Sequence, residues 1–312
     1  MSQPEGFIDK KKRDFMCKLH KSLYGLKQAL RVWYDKLKSC LLQWGFITTT
    51  SHTSLFIKRN QASVILILIY VDGILITGQN NIELEEFIAK FSTTFSLKDL
   101  GVLSYFLGIE VLYDTCCLYL SQKKYIKDLL TKFEMLECKG IDTLMSTGSK
   151  LQKTVQGEQG YFLEDPTHYR SIVGGMQYLV LTRPNIAFAV DKLNQYVSGP
   201  TLRHLMACKR VMRYLKATQD YGIKFVSNGE VKLTGFTDVD WAYDLDDRKS
   251  IGAYCIYIDD NLISWSSKKQ SVITRSSAES EYRALASDNA EISWLQSLFS
   301  ELGVCCTEKP TI

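Results

Sequence analysis

Two apolar runs meet near residue 70. Residues 64–70 read VILILIY and residues 74–78 read ILITG, with Val71-Asp72-Gly73 between them. Asp-Gly between two such runs is a strong short-range hairpin signal, because glycine takes the positive φ of a tight turn. The pattern predicts an antiparallel hairpin that turns at Asp72-Gly73. Any fold for this chain has to be built around that pair of strands.

Helical spacing flanks the hairpin. Over residues 16–45, Leu30, Trp33, Tyr34, Leu37, Leu41 and Leu42 recur every three or four positions, and a second helix is expected over 83–91. An apolar segment at 103–112, a short strand at 116–120 and helical spacing at 125–133 follow. Residues 149–160 are polar with no large apolar cluster and read as a linker. From 169 to 217 the spacing is helical again, broken at Arg183-Pro184 and Gly199-Pro200. The last of these helices is two-faced. Leu205, Cys208, Val211, Met212 and Leu215 share one side, and Arg203, Lys209, Arg210, Arg213 and Lys216 the other. A basic stripe of this kind can track a phosphate backbone or simply be a solvated face.

After Gly229 the chain becomes strand-rich, with strands expected at 233–238, 253–258 and 262–265. A long helix follows, opened by Ser276 and Glu279 in capping-box spacing. Its apolar stripe reads Tyr282, Leu285, Ile292, Leu295, Phe299 and Leu302. Glu281 borders that stripe. Asp240, Asp244, Asp246 and Asp247 read as solvated loop charges, and His204 as an ordinary surface histidine.

Composition narrows the function classes. The 312 residues allow two or three compact units, and 46% hydrophobic with 23% charged content is that of a globular protein. A net charge of +4 permits contact with nucleic acid without requiring it. Nine cysteines, odd in number and without a C-x-x-C, argue for reduced thiols in an intracellular compartment, cytoplasmic or nuclear. That usage excludes a disulfide framework and a zinc site, and the four histidines have no metal-ligand spacing. No run approaches the ~18 apolar residues of a membrane span, and no apolar signal core opens the chain. Both ends read as cuts through a longer protein.

Several segments together carry a resemblance. LHKSLYGLKQALRVWYDKL, IYVDGILITG, FSLKDLGVLSYFLGIEV, LSQKKYIKDLL, YRSIVGGMQYLVLTRPNIAFAV and RVMRYLKATQDYGIKF resemble the reverse transcriptase of copia-type retrotransposons. GFTDVDWAYDLDDRKS, NLISWSSKKQSV and RSSAESEYRALA resemble the ribonuclease H domain that follows it in the same polyprotein. The resemblance covers nearly the whole chain, in the expected order.

The resemblance implies an α+β, palm-like reverse transcriptase remnant over 1–148, a linker at 149–160 and a helical thumb or connection over 161–226. A truncated α/β ribonuclease H-like domain over 227–312 would close the chain. It implies RNA, DNA or an RNA–DNA hybrid as partner and Mg²⁺ as cofactor. Asp72, Asp238 and Glu281 stand at family positions for catalytic metal ligands, and Gly25 and Lys27 in the segment that supports template and nucleotide. Arg203, Lys209, Arg210 and Arg213 would meet the phosphate backbone.

Templated synthesis by two Mg²⁺ ions needs several converging carboxylates. Gly73 replaces the family's second hairpin aspartate, the earlier strand's aspartate lies upstream of this sequence, and the third nuclease carboxylate lies beyond Ile312. Losing one group aimed at transition-state charge typically costs ~2.7–4 kcal/mol. The expectation is therefore a fragment without useful catalysis. The alternatives are an enzyme completed by sequence outside this chain and a non-enzymatic nucleic-acid binder.

Overall fold

The computed structural model describes residues 3–12, 14–18, 28–60, 63–71, 73–146, 151–153, 162–227 and 231–312. It has a mixed α/β architecture and divides into two compact units, 1–99 and 100–312. Among the described residues, no helix is long and apolar enough to cross a membrane.

The first unit is an antiparallel sheet covered by two helices. Helix α1 (Ala29–Gln43) leads into strands β1 (Ile47–Thr48), β2 (Leu55–Arg59), β3 (Val64–Tyr70) and β4 (Gly73–Gly78), which pair in sequence order. Helix α2 (Asn81–Phe95) closes it, capped by the Asn80 side-chain oxygen Oδ1, which accepts from the Ile82 N–H at 3.0 Å. Ile65, Ile67 and Ile69 alternate into the core, where Leu37, Leu41, Phe87 and Phe91 meet them.

The hairpin turns one residue earlier than its Asp-Gly signal predicts. Gly73 already pairs with Tyr70 as the first residue of β4, and Val71 takes the positive φ, at 53°. Cross-strand packing explains the choice. The observed register sets Ile69 against Ile74, Leu68 against Leu75 and Ile67 against Ile76. A two-residue Asp72-Gly73 loop would set Leu68 against Thr77 and Ile67 against Gly78.

The second unit holds two antiparallel sheets and a helical core. Strands β5 (Tyr105–Phe106), β6 (Ile109–Tyr113) and β7 (Cys117–Ser121) are followed by α3 (Lys123–Lys132), α4 (Thr167–Leu179), α5 (Ala187–Asn194) and α6 (Leu202–Ala217). Strand β8 (Gly222–Val226) then returns to pair with β7. Ile126, Leu130, Ile172, Met176, Val190, Val211 and Leu215 interlock in the centre of the helices. The units therefore part inside the 1–148 segment, because β7 is held by β8 and α3 packs against α4 and α6. The linker expected at 149–160 lies outside the described residues except for 151–153. Those three are docked, with the Leu151 carbonyl accepting from Tyr196 and the Lys153 N–H donating to Asp246.

Strands β9 (Leu233–Asp240), β10 (Ile251–Ile258) and β11 (Asn261–Lys269) form the second sheet in the order β11-β10-β9, and α7 (Ser277–Leu302) covers one face. The chain then comes back alongside β9 in a parallel sense. Gly235 N–H donates to the Thr311 carbonyl at 2.8 Å, and Thr311 N–H to that of Leu233 at 3.2 Å. The first residue of β11 ties the two sheets. The Asn261 side chain accepts from the Val226 N–H at 2.7 Å and donates to the Val226 carbonyl at 3.0 Å.

The buried stripe of α7 differs from the expected one at its start. Ser280, Ala284 and Asp288 face the sheet ahead of Ile292, Leu295 and Phe299, while Tyr282 is 72% and Leu285 38% exposed. Close approach is the reason. A Cβ on Gly252 would lie 3.5 Å from that of Ala284, and one on Gly235 would collide with Asp288 Oδ2. The missing side chain of Gly235 leaves the space that the Asp288 carboxylate fills.

Candidate functional site

The residues singled out for chemistry fall in three places. Gly25, Lys27 and Asp72 lie outside the described residues. Asp238 is exposed on β9, opposite Ala253 of β10. Odd-numbered Gly235 faces Asp288 and Ile292 of α7, and Val239 lies on the same side as Ala284. Strand alternation therefore turns Asp238 to the other face of the sheet. There it borders an open cavity of about 240 Å³ with Asn185, Phe188, Asp240, Cys255 and Trp265.

Glu281 is exposed on α7 itself. The structure thus puts Asp238 and Glu281 on opposite sides of the sheet rather than together. Among the described residues, no group of three or more His, Cys, Asp or Glu could hold a metal ion. The described donor set does not fit a two-Mg²⁺ clamp, which needs converging oxygen ligands.

Helix α6 has its predicted two faces, but part of the basic one is engaged. Arg210 donates to Thr143 Oγ1 at 2.6 Å, and Arg213 Nε to the Lys139 carbonyl at 2.8 Å. These two arginines fasten the 139–143 segment to the helix. Arg203 and Lys209 are exposed.

His204 is not a surface histidine. It is buried and stacks on Tyr196 with ring centroids 4.0 Å apart. Its Nδ1 accepts from the Thr201 N–H at 3.0 Å, so Nε2 carries the proton and donates to the Gln152 carbonyl at 3.0 Å. Burial lowers its pKa, which keeps the ring neutral.

Asp244 also departs from the expectation of a solvated loop charge. It is buried at the centre of an ion cluster, with Lys192 Nζ at 2.8 Å and Lys269 Nζ at 3.0 Å. The Asp246 N–H donates to its other oxygen at 2.9 Å. Burial alone would raise this carboxyl; the hydrogen bonds from Lys192 and Lys269 outweigh it and hold the group well below the usual carboxylate range. Lys192 and Asp244 are 52 residues apart, so no local spacing signals the pair.

Similarity to known proteins follows this layout. A reverse transcriptase (RNA-dependent DNA polymerase) family profile matches residues 1–147. The retrovirus-related Pol polyprotein from transposon RE1 of Arabidopsis thaliana is 46% identical over 312 residues, which is 100% of this chain and 21% of that protein. The Pol polyprotein from transposon TNT 1-94 of Nicotiana tabacum is 36% identical over 97% of the chain and 23% of its own length. The chain belongs to the Pol polyproteins of copia-type retrotransposons.

This Pol chain spans 21% of the length of the first curated relatives it matches. A shorter relative, an uncharacterized mitochondrial protein of Arabidopsis thaliana, is 42% identical over 73% of the chain and 93% of its own length. The profile's end at residue 147 puts β1 to β7 and α1 to α3 within the reverse transcriptase match.

Proposed function

We propose that this chain is a reverse transcriptase–ribonuclease H segment of a copia-type Pol polyprotein that handles nucleic acid without catalysing its synthesis or cleavage. One observation carries the reading. Gly73 heads β4 at the hairpin where the family resemblance implies a second aspartate. Asp72 alone cannot organise two dications, and Mg²⁺ chemistry would need carboxylates from outside this chain.

A ribonuclease H-like fold over 227–312 is supported by topology. Three antiparallel strands lead into a long crossover helix, after which Thr311 returns parallel to β9. Parallel return requires such a crossover. Asp238 and Glu281 are the nuclease carboxylates the resemblance implies, and their separation across the sheet argues against cleavage.

Primer extension on an RNA template with Mg²⁺ or Mn²⁺ tests the reading, with RNA–DNA hybrid cleavage measured in parallel. No incorporation and no cleavage are expected from the 312-residue protein, nor incorporation from its Gly73→Asp variant. Extended primer from the unaltered protein overturns the proposal.

The exposed Arg203 and Lys209 on α6 favour a second reading, a nucleic-acid binder without sequence preference. Binding to single strands or hybrids should then weaken with salt. Lys209→Ala should lower the salt slope by about 1 without changing stability. Arg213→Ala should instead destabilise the protein by about 1.5–3 kcal/mol, the worth of a hydrogen bond from a charged group. Equal salt slopes for Lys209→Ala and the unaltered protein remove this second reading.

A further inference from the structure

Leu151, Gln152 and Lys153 are held by side chains from three different parts of the 100–312 unit. Tyr196, just after α5, donates its hydroxyl to the Leu151 carbonyl at 2.6 Å. His204, in the first turn of α6, meets the Gln152 carbonyl through Nε2 at 3.0 Å. Asp246, in the loop between β9 and β10, accepts from the Lys153 N–H at 3.0 Å. The Leu151 side chain packs against the helical core. Residues 151–153 therefore strap the helices to that loop. The loop has its own anchor as well, through Asp244 on Lys192 and Lys269.

His204 serves two structures at once. Its Nδ1 accepts from the N–H of Thr201, the N-cap of α6, at 3.0 Å. Only the neutral ring can accept there while donating to Gln152. A proton on Nδ1 turns the acceptor into a donor. Thr201 Oγ1, 3.1 Å from Nδ1, can take the new proton, but the buried Thr201 N–H is then left without an acceptor. Burial weighs most heavily on the ring and opposes the imidazolium; the Gln152 carbonyl and the Asp246 carboxylate favour it, and the Lys192 ammonium opposes it. The Tyr196 ring on which His204 stacks already carries Lys192, whose Nζ lies 5.3 Å from the centroid. Lifting the strap admits water to the imidazole and relieves the largest of these penalties.

We propose that residues 151–153 form a pH-sensitive strap, docked while His204 is neutral and released when its ring takes up a proton. The released state binds the proton more readily than the docked one, so acid favours release and neutral pH restores docking. The Asp244 cluster still joins the loop to α5 and β11 when the strap leaves. Release is thus a local opening, distinct from unfolding.

Hydrogen exchange of individual amides in the 312-residue protein tests this. The protection factor of the Lys153 amide, corrected for the intrinsic effect of pH, should fall about tenfold between about pH 7 and about pH 5. Amides of α4 around buried Met176 should keep theirs. His204→Gln retains a residue that caps helices from this position and does not titrate, so its Lys153 protection should be the same at both pH values. Tyr196→Phe removes the donor to Leu151 without touching a titrating group. It should lower Lys153 protection about fivefold at both pH values and leave their ratio unchanged. The proposal fails if Lys153 protection is independent of pH, if His204→Gln shows the same fall, or if the Met176 amides fall in step with Lys153. It fails also if Tyr196→Phe leaves Lys153 protection unaltered.

Discussion

Replacing Asp244 by alanine is expected to destabilise the 100–312 unit by about 3–5 kcal/mol, the usual consequence of removing one partner from a buried ion pair. Lys192 has only 2% of its side chain exposed and Asp244 only 1%. Without the carboxylate, a buried ammonium would keep only Gln195 Oε1 at 3.5 Å and the faces of the Tyr196 and Tyr243 rings, 5.3 and 5.7 Å away, which do not replace an opposite charge. The Asp246 N–H that Asp244 caps would lose its acceptor as well. A double variant, Lys192→Met with Asp244→Leu, should recover much of the loss, because apolar replacements of buried ion pairs are often neutral. Urea unfolding followed by tryptophan fluorescence measures both. An Asp244→Ala midpoint equal to that of the unaltered protein would show that the cluster contributes nothing.

The same carboxylate sets an acid limit. Its folded pKa is depressed, so it stays ionised at pH values where the unfolded form has taken up a proton. Its stabilisation is full above about pH 4, the ordinary aspartate range, and is lost as pH falls further. Asp244→Asn should flatten that part of the stability–pH curve.

Asp288→Ala should do the opposite and raise stability by about 1–3 kcal/mol, the cost of a buried polar group without a partner. Asp288 is fully buried under β9, and neither carboxylate oxygen has a hydrogen-bond partner. Burial raises its pKa, with Glu291 adding to the effect. The folded protein therefore holds this proton above the pH at which the unfolded chain releases it. The contribution to stability is largest below about pH 4 and falls as pH rises through the raised folded value. Asp288→Ala should remove that decline. A thermal midpoint for Asp288→Ala at or below that of the unaltered protein refutes the assignment.

Elements with a repeating local pattern were legible in the sequence. The strands about residue 70, the breaks at Arg183-Pro184 and Gly199-Pro200, the two-faced α6 and the Ser276 cap of α7 all follow from spacing and turn chemistry, and Ser276 Oγ does accept from the Glu279 N–H at 3.1 Å. What escaped depends on distant partners. Asp244 sits in the loop string DLDDRKS, which reads as solvent-facing until Lys192 arrives from α5. His204 owes its burial to Tyr196 and to the Gln152 carbonyl. On α7 the hydrophobic pattern favoured Tyr282 and Leu285, whereas the face that meets Gly235 and Gly252 carries Asp288 and Ala284. The opposed placement of Asp238 and Glu281 depends on which face of the sheet α7 covers, a choice that the spacing of either residue leaves open.

The Asn261 amide, by mimicking a peptide group against Val226, has a consequence for heredity. A crossover placed between β8 and β9 would separate this asparagine from the backbone it clasps. A donor lacking an amide at that turn would leave the Val226 N–H and carbonyl to water and remove both hydrogen bonds of this clasp. Viable exchanges should therefore carry residues 222–261 as one inherited block.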